Sequence, residues 1–211
     1  MEKPGKNNFW ETLFKGGNIW GNKATDSAIQ VANEFKKLGF ENILIPGIGY
    51  GRNAKPFSEK GIHVSGIEIS RSAIKVARAN GFTFPIYHGS VLDMPYGKSQ
   101  YDGIYCYALL HLFDKNDRLT FIKNCYNKLN FKGQMVFVVV SPESEMFGEG
   151  IQISKNQFKL KNGLNLFFYD TIAIEEEFEG FGLIAYNEID EPIKHLENEP
   201  PLKCLIIRCG K

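Results

Sequence analysis

The sequence predicts an α/β fold in which a mostly parallel sheet carries helices on both faces. Three observations lead there. From about residue 24 onward, short apolar runs alternate with segments of helical period, the pattern of parallel strands joined by crossover helices. The run MVFVVV at residues 135–140 is apolar on both faces, as a central strand covered from both sides must be. The last two apolar runs are separated by a Pro-rich turn too short for a crossover helix, so that pair is antiparallel.

The elements follow in order. Ala28, Val31, Phe35 and Leu38 recur at steps of three and four; Thr25 or Asp26 caps this helix and Gly39 stops it. The first strand is residues 42–45. After a glycine-rich turn a second helix is expected over residues 52–60, with Pro56 near its first turn and Gly61 at its end. Residues 62–68 form the second strand, and Ser70 is the N-cap of a helix over residues 71–79 that Asn80-Gly81 closes.

A strand near residues 84–87, a loop and a fourth strand over residues 101–106 come next. Leu119, Ile122, Tyr126 and Leu129 mark the buried stripe of the following helix, which Gly133 is expected to close before strand five. Residues 142–170 break the rhythm with mixed polar, glycine and aromatic residues. A stretch of that length reads as a lid or substrate insertion. A short helix near residues 171–179 and strands near 183–189 and 202–208 complete the chain.

The length of 211 residues fits one domain, residues 1–211. By area scaling about 70% of the chain's surface can be buried. Hydrophobic residues are 43%, and 25 Lys and Arg against 24 Asp and Glu leave a net charge of +1. That balance argues against a charge-driven disordered chain and against a broad electrostatic footprint for nucleic acid or membrane. Cys106, Cys125, Cys204 and Cys209 form no C-x-x-C pair and have no histidine at ligand spacing, so they read as thiols of a reducing compartment, with no metal expected. The N-terminal residues lack the apolar core of a signal peptide, and a cytoplasmic location is expected.

The chemistry concentrates where strand one runs into Pro46-Gly47-Ile48-Gly49-Tyr50-Gly51-Arg52. Glycines let backbone N–H groups approach a ligand, and Glu68, at the tip of the neighbouring strand 17 residues past Gly51, can accept both ribose hydroxyls. The pair predicts a nucleoside-bearing ligand at the carboxyl ends of the strands. A dinucleotide fingerprint G-x-G-x-x-G would need glycine at position 52, where this chain has arginine. That departure argues against a pyrophosphate on the helix N-terminus.

On these residues the chain resembles the class I S-adenosylmethionine-dependent methyltransferases, over roughly residues 40–140 and onward to the C-terminus. ILIPGIGYG is similar to the family's first motif, although Pro46 replaces the acid many members carry there; VSGIEIS is similar to the second strand with its ribose-binding acid. HGSVLDMPYGKSQYDGIYCYALLHLF resembles the adenine loop and fourth strand, with Ser90 where many members place a carboxylate, and LNFKGQMVFVVV resembles the fifth strand. The resemblance implies a doubly wound, Rossmann-like, seven-stranded sheet with an antiparallel last strand, and S-adenosylmethionine as cofactor.

It implies cofactor contacts from Gly47, Ile48, Gly49, Gly51 and Arg52 of the turn and from Glu68 and Ile69 of strand two. Ser90, Val91 or Asp93 would meet the adenine, and Tyr107 would complete the site. IWG upstream and GYGRN further resemble the small-molecule branch that includes tellurite-resistance and thiopurine-type methyltransferases.

Phe9, Trp10, Phe14 and Trp20 precede the first repeating unit. In the resembling fold this segment, residues 1–23, lies across the cleft, so Trp10 and Trp20 are candidates to cover the sulfonium or the substrate; ordinary core packing is the competing reading. His111 follows strand four, beside the substrate in that fold, and is either a general base or a support for the loop. Methyl transfer can proceed largely by proximity, so a dedicated base is optional and no catalytic residue is assigned. The expected activity is therefore methyl transfer to a small-molecule acceptor. Its rivals are a nicotinamide-dependent oxidoreductase and a cofactor-binding module without catalysis.

Overall fold

The computed structural model describes residues 6–94, 100–196 and 198–211. Helix α1 (Lys6–Leu13) leads through one 3₁₀ turn, Phe14–Gly16, to the first repeating unit. Thr25 caps α2 (Asp26–Lys37), its side chain accepting from the Ala28 amide, and Ala28, Val31, Ala32 and Phe35 form the buried face. Strand β1 (Asn42–Pro46) follows. Helix α3 (Lys55–Glu59) is shorter than the 52–60 expected. Gly47, Gly49 and Gly51 all have positive φ (65°, 58° and 87°), so the chain is still turning through residue 51 and enters helix only beyond it.

Strand β2 (His63–Glu68), helix α4 (Arg71–Ala79) with the Ser70 hydroxyl accepting from Ala73, and strand β3 (Ile86–His88) come next, β3 two residues later than expected. After β4 (Tyr101–Tyr107) a 3₁₀ turn, Leu110–Leu112, precedes α5 (Lys115–Lys128). Strand β5 (Leu129–Val140) then starts without a break, which corrects the role expected of Gly133. Gly133 closes no helix; it lies within β5 near the register shift between Tyr101 and Gly103 of β4. A Cβ at Gly133 would come within 2.9 Å of the Asn130 and Asp102 carbonyl oxygens, so close backbone approach is what requires glycine there.

The 142–170 stretch is more ordered than expected. It holds a three-stranded antiparallel sheet of β6 (Ile151–Ser154), β7 (Gln157–Lys159) and β8 (Asn165–Phe167). Phe158, Leu166 and Phe168 pack with Val140 at the end of β5, which seats this small sheet over the carboxyl end of a central strand. Helix α6 (Thr171–Phe178), β9 (Leu183–Glu191) and β10 (Leu202–Gly210) complete the chain.

The main sheet has seven strands in the order β3-β2-β1-β4-β5-β10-β9. Every neighbouring pair from β3 to β5 is parallel, and β10 is antiparallel to both β5 and β9. The predicted reversal of the last strand is present. Phe35, Ile43 and Phe57 fill the layer under α2 and α3, while Phe121, Phe137 and Phe178 fill the one under α5 and α6. Four buried free cysteines lie in these layers. Among the described residues no helix is long and apolar enough to cross a membrane. The chain leaves β1 toward β2 on one side and returns through β4 on the other, and that switch point opens a crevice at the carboxyl ends.

Candidate functional site

The turn after β1 forms the floor of the crevice. The Gly47 and Ile48 amides donate to the Ile67 carbonyl at 2.9 and 3.1 Å, tying the turn to β2. The glycines differ in purpose. A Cβ at Gly47 would come within 2.7 Å of Leu109 Cδ2, whereas one at Gly49 would meet nothing closer than Phe14 Cζ at 3.7 Å. Gly47 thus serves close packing, and Gly49 leaves the ligand side open. Gly51 faces Phe82 and Phe84 and does not line the crevice. Its contribution is the turn itself.

Glu68 ends β2 beside this turn. The sequence suggests an exposed strand tip, but the side chain is only 5% exposed. Its Oε2 accepts from the Gly49 amide and its Oε1 from the Ser70 amide, both at 2.8 Å. Burial pushes the carboxyl above the usual range, and these amides offset part of that. A carboxylate oxygen has two lone-pair sites, so each oxygen retains one for a ligand. That leaves a fixed pair of acceptors matched to a vicinal diol.

Ile69 lines the cavity beside Glu68, and Ser90 and Val91 line it from the loop after β3. The Ser90 hydroxyl accepts from the Leu92 amide at 3.1 Å. Asp93 is exposed and lies off the cavity, because the chain turns after Ser90 with the Asp93 amide donating to the Ser90 carbonyl. It therefore departs from the expected adenine contact. Residues 95–99, the rest of that motif, lie outside the described residues.

The N-terminal segment forms the opposite wall. Trp10, Phe14, Trp20 and Tyr50 cluster, with Trp20 stacked on Tyr50 at 6.2 Å between ring centres. Arg52 donates from Nη1 to the Trp20 carbonyl at 2.9 Å, and its guanidinium carbon is 6.0 Å from the rings of both Trp20 and Tyr107. Glu11 accepts from the Ser72 hydroxyl at 2.7 Å, the Ser72 amide at 3.1 Å and the Ser70 hydroxyl at 2.9 Å. The two Ser72 bonds and then the Ser70 bond hold its carboxyl down at about 2. No motif in the sequence points to Glu11, yet it seats α1 on the N-terminus of α4.

The far end combines the 3₁₀ turn after β4, the small sheet and the β9–β10 connection. His111 is 6% exposed, accepts at Nδ1 from the Val140 amide at 3.2 Å, and is pushed down to about 4 by burial. Ser144, Met146 and Leu164 come from residues 142–170, and Ile193, His195 and Pro201 from the connection. That connection was missed. The available signal was topological: β9 runs with the parallel strands, so its carboxyl end, at Glu191, emerges at the ligand edge. Glu191 itself is 2% exposed and is spent on the N-terminus of α2, accepting from the Asp26 and Ser27 amides.

The crevice has a volume of about 740 Å³, within the roughly 300–1,000 Å³ usual for small-ligand sites. It brings together Trp10, Trp20, Gly47, Ile48, Gly49, Arg52, Glu68, Ile69, Ser90, Val91, Tyr107 and His111. A hollow of about 320 Å³ near Lys36, Gly39 and His63 lies at the opposite, amino ends of β1 and β2. Among the described residues no group of three or more His, Cys, Asp or Glu side chains is placed to hold a metal ion.

Residues 43–133 match the family described as a methyltransferase domain. No curated protein matches the chain. Among solved structures, the 1,6-didemethyltoxoflavin-N1-methyltransferase of Burkholderia thailandensis, with 1,6-didemethyltoxoflavin and S-adenosylhomocysteine bound, is 18% identical. The match covers 97% of this chain and 85% of that one with a TM-score of 0.71. A structure described under conversion of a disulfide bond into a thioacetal group during echinomycin biosynthesis is 15% identical, covering 98% and 92% with a TM-score of 0.76. TehB from Haemophilus influenzae is 16% identical, covering 86% and 61% with a TM-score of 0.62. At these identities the likeness is one of fold.

Proposed function

We propose that this class I S-adenosylmethionine-dependent methyltransferase transfers its methyl group to a small molecule, largely by holding acceptor and methyl in line. The observation that carries the reading is the single walled cavity, which runs from the Gly49 turn to the small sheet and the β9–β10 connection. One end fits the cofactor. Glu68 offers a diol its two free acceptor positions, Ile69, Ser90 and Val91 flank the adenine position, and the open side of Gly49 admits the ligand.

When bound, the cofactor supplies a methyl group on a positively charged sulfur. Trp10 and Trp20 line the cavity from the N-terminal segment and serve as the aromatic wall that attracts such a cation and excludes water. The acceptor lies toward His111, under residues 142–170, which act as the lid. We read residues 1–211 as one domain, with residues 1–23 as its aromatic cover. The IWG and GYGRN segments that carry the narrower likeness to tellurite-resistance and thiopurine-type enzymes meet where Arg52 binds Trp20. The four buried thiols support a reducing, cytoplasmic setting.

The test uses S-adenosylmethionine labelled in its methyl group and an extract separated into metabolite, protein and RNA fractions. Label in the metabolite fraction, with release of S-adenosylhomocysteine, is the expected result. Label confined to protein or RNA overturns the small-molecule reading.

A further inference from the structure

We infer that His111 is a hydrogen-bond donor to the substrate, fixed with its proton on Nε2, and that it selects a carbonyl oxygen or ring nitrogen of an uncharged small molecule. This rests on the acceptor lying at that end of the cavity. The Nδ1 lone pair is occupied, because it accepts from the Val140 amide at 3.2 Å. A neutral imidazole with Nδ1 as acceptor carries its one proton on Nε2.

Nε2 has no partner among the described residues. Yet no buried side-chain nitrogen or oxygen among them lacks one, so Nε2 must be open to the cavity that His111 lines. Position supports the same end. Leu112, next in the chain, packs against the cluster that Phe158, Leu166 and Phe168 of the insertion form with Val140, and His111 is anchored to that last residue of β5. The ring stays neutral because burial alone pushes it down to about 4.

A general base needs a lone pair facing the acceptor. Here the lone pair faces the sheet, and turning the ring over would strand the Val140 amide. A carboxylate substrate fits poorly, since burying it requires a paired cation. Of the basic side chains lining the cavity besides His111, Arg52 is engaged with the Trp20 carbonyl, Lys194 with Asp26 and the Ala24 carbonyl, and His195 shares the β9–β10 connection with Glu199, which lines the cavity too.

The experiment uses the full chain with ¹⁵N-labelled histidine rings, with and without S-adenosylhomocysteine. His111 is assigned by its loss in His111→Leu and, as a second variant, His111→Gln. The expected spectrum shows the Nε2–H form, unchanged between pH 8 and pH 5.5. An Nδ1–H form, or protonation with a midpoint near 6.5, overturns the proposal.

Acetophenone, ethylbenzene and benzoate then serve as probes of the complex. Acetophenone is expected to move the Nε2 nitrogen and its proton saturably, ethylbenzene to leave them in place, and benzoate to bind at least tenfold more weakly. His111→Gln, whose amide N–H reaches toward the Nε2 position, keeps acetophenone affinity within about threefold, whereas His111→Leu loses about tenfold, one hydrogen bond's worth. No shift with acetophenone, or an equal shift with ethylbenzene, overturns the proposal. Failure of S-adenosylhomocysteine to bind would count against the cofactor site instead, and the tautomer of the unliganded protein would still decide the role of His111.

Discussion

Replacing Glu68 with glutamine tests the cofactor site at its most committed residue. The carboxylate has two tasks: it accepts the Gly49 and Ser70 amides, and it keeps one lone pair on each oxygen for the ligand. Glutamine preserves shape and one acceptor oxygen but removes the charge. Hydrogen bonds to a charged group contribute about 1.5–3 kcal/mol each, so losing one and weakening the other costs roughly 2–4 kcal/mol of binding. That corresponds to an affinity for S-adenosylhomocysteine about 30- to 1,000-fold weaker.

The substituted amide also turns an N–H toward one of the two backbone donors. The unsatisfied amide should lower stability by about 1–3 kcal/mol. Calorimetric titration and chemical denaturation read the two effects separately. Acidity supplies a second axis. Burial raises the Glu68 pKa, so wild-type affinity should fall on acidification earlier than an ordinary carboxylate would dictate, while the glutamine variant stays flat. A folded Glu68→Gln protein that binds S-adenosylhomocysteine as wild type does would refute the ribose assignment.

At Gly49 (φ 58°), alanine should cost about 1–2 kcal/mol from the left-handed backbone alone, since its Cβ has room; valine should abolish cofactor binding while circular dichroism stays native. Retained binding in Gly49→Val would remove the turn from the site. Arg118→Ala strands the buried Glu177 carboxylate, which Arg118 meets at 2.7 Å and Tyr169 also bonds, and should cost about 3–5 kcal/mol in denaturant unfolding. A loss below about 1 kcal/mol would mean the pair does not hold α5 to α6. Trp20→Ala should weaken S-adenosylhomocysteine about tenfold, near 1.4 kcal/mol, with native circular dichroism; unchanged affinity would make the tryptophan a packing residue only.

Regions that obey local rules were legible in the sequence. Thr25 and Ser70 cap their helices as their side-chain chemistry predicts, and the short turn before residue 202 does pair the last two strands antiparallel. The small sheet was not legible, because strands of three or four residues are too short to show a period. Gly133 misled for a different reason. Glycine after a helical stripe resembles a stop signal, and only the position of the Asp102 carbonyl reveals that it serves a close approach between strands. Asp93 was plausible as an adenine ligand by spacing alone, but one turn bond at Ser90 sends its side chain to solvent.

The arginine that breaks the dinucleotide pattern has a positive role in the structure. A third glycine at position 52 would let a pyrophosphate approach the helix, but it would leave the Trp20 carbonyl without the donor it now has. Arg52 ties the turn to the N-terminal segment, while Glu11 ties α1 to the N-terminus of α4 next to Ser70. Ser70 also donates its amide to Glu68. The cover and the ribose acceptor thus share a residue, so loosening the Glu11 anchor lets Ser70 shift and with it the Glu68 oxygen it holds. Cofactor capture and closure of the aromatic wall should therefore be coupled, and Glu11→Gln should weaken S-adenosylhomocysteine binding although Glu11 does not line the cavity. Wild-type affinity in that variant, with α1 still protected from protease, would show the two ends of the site to be independent.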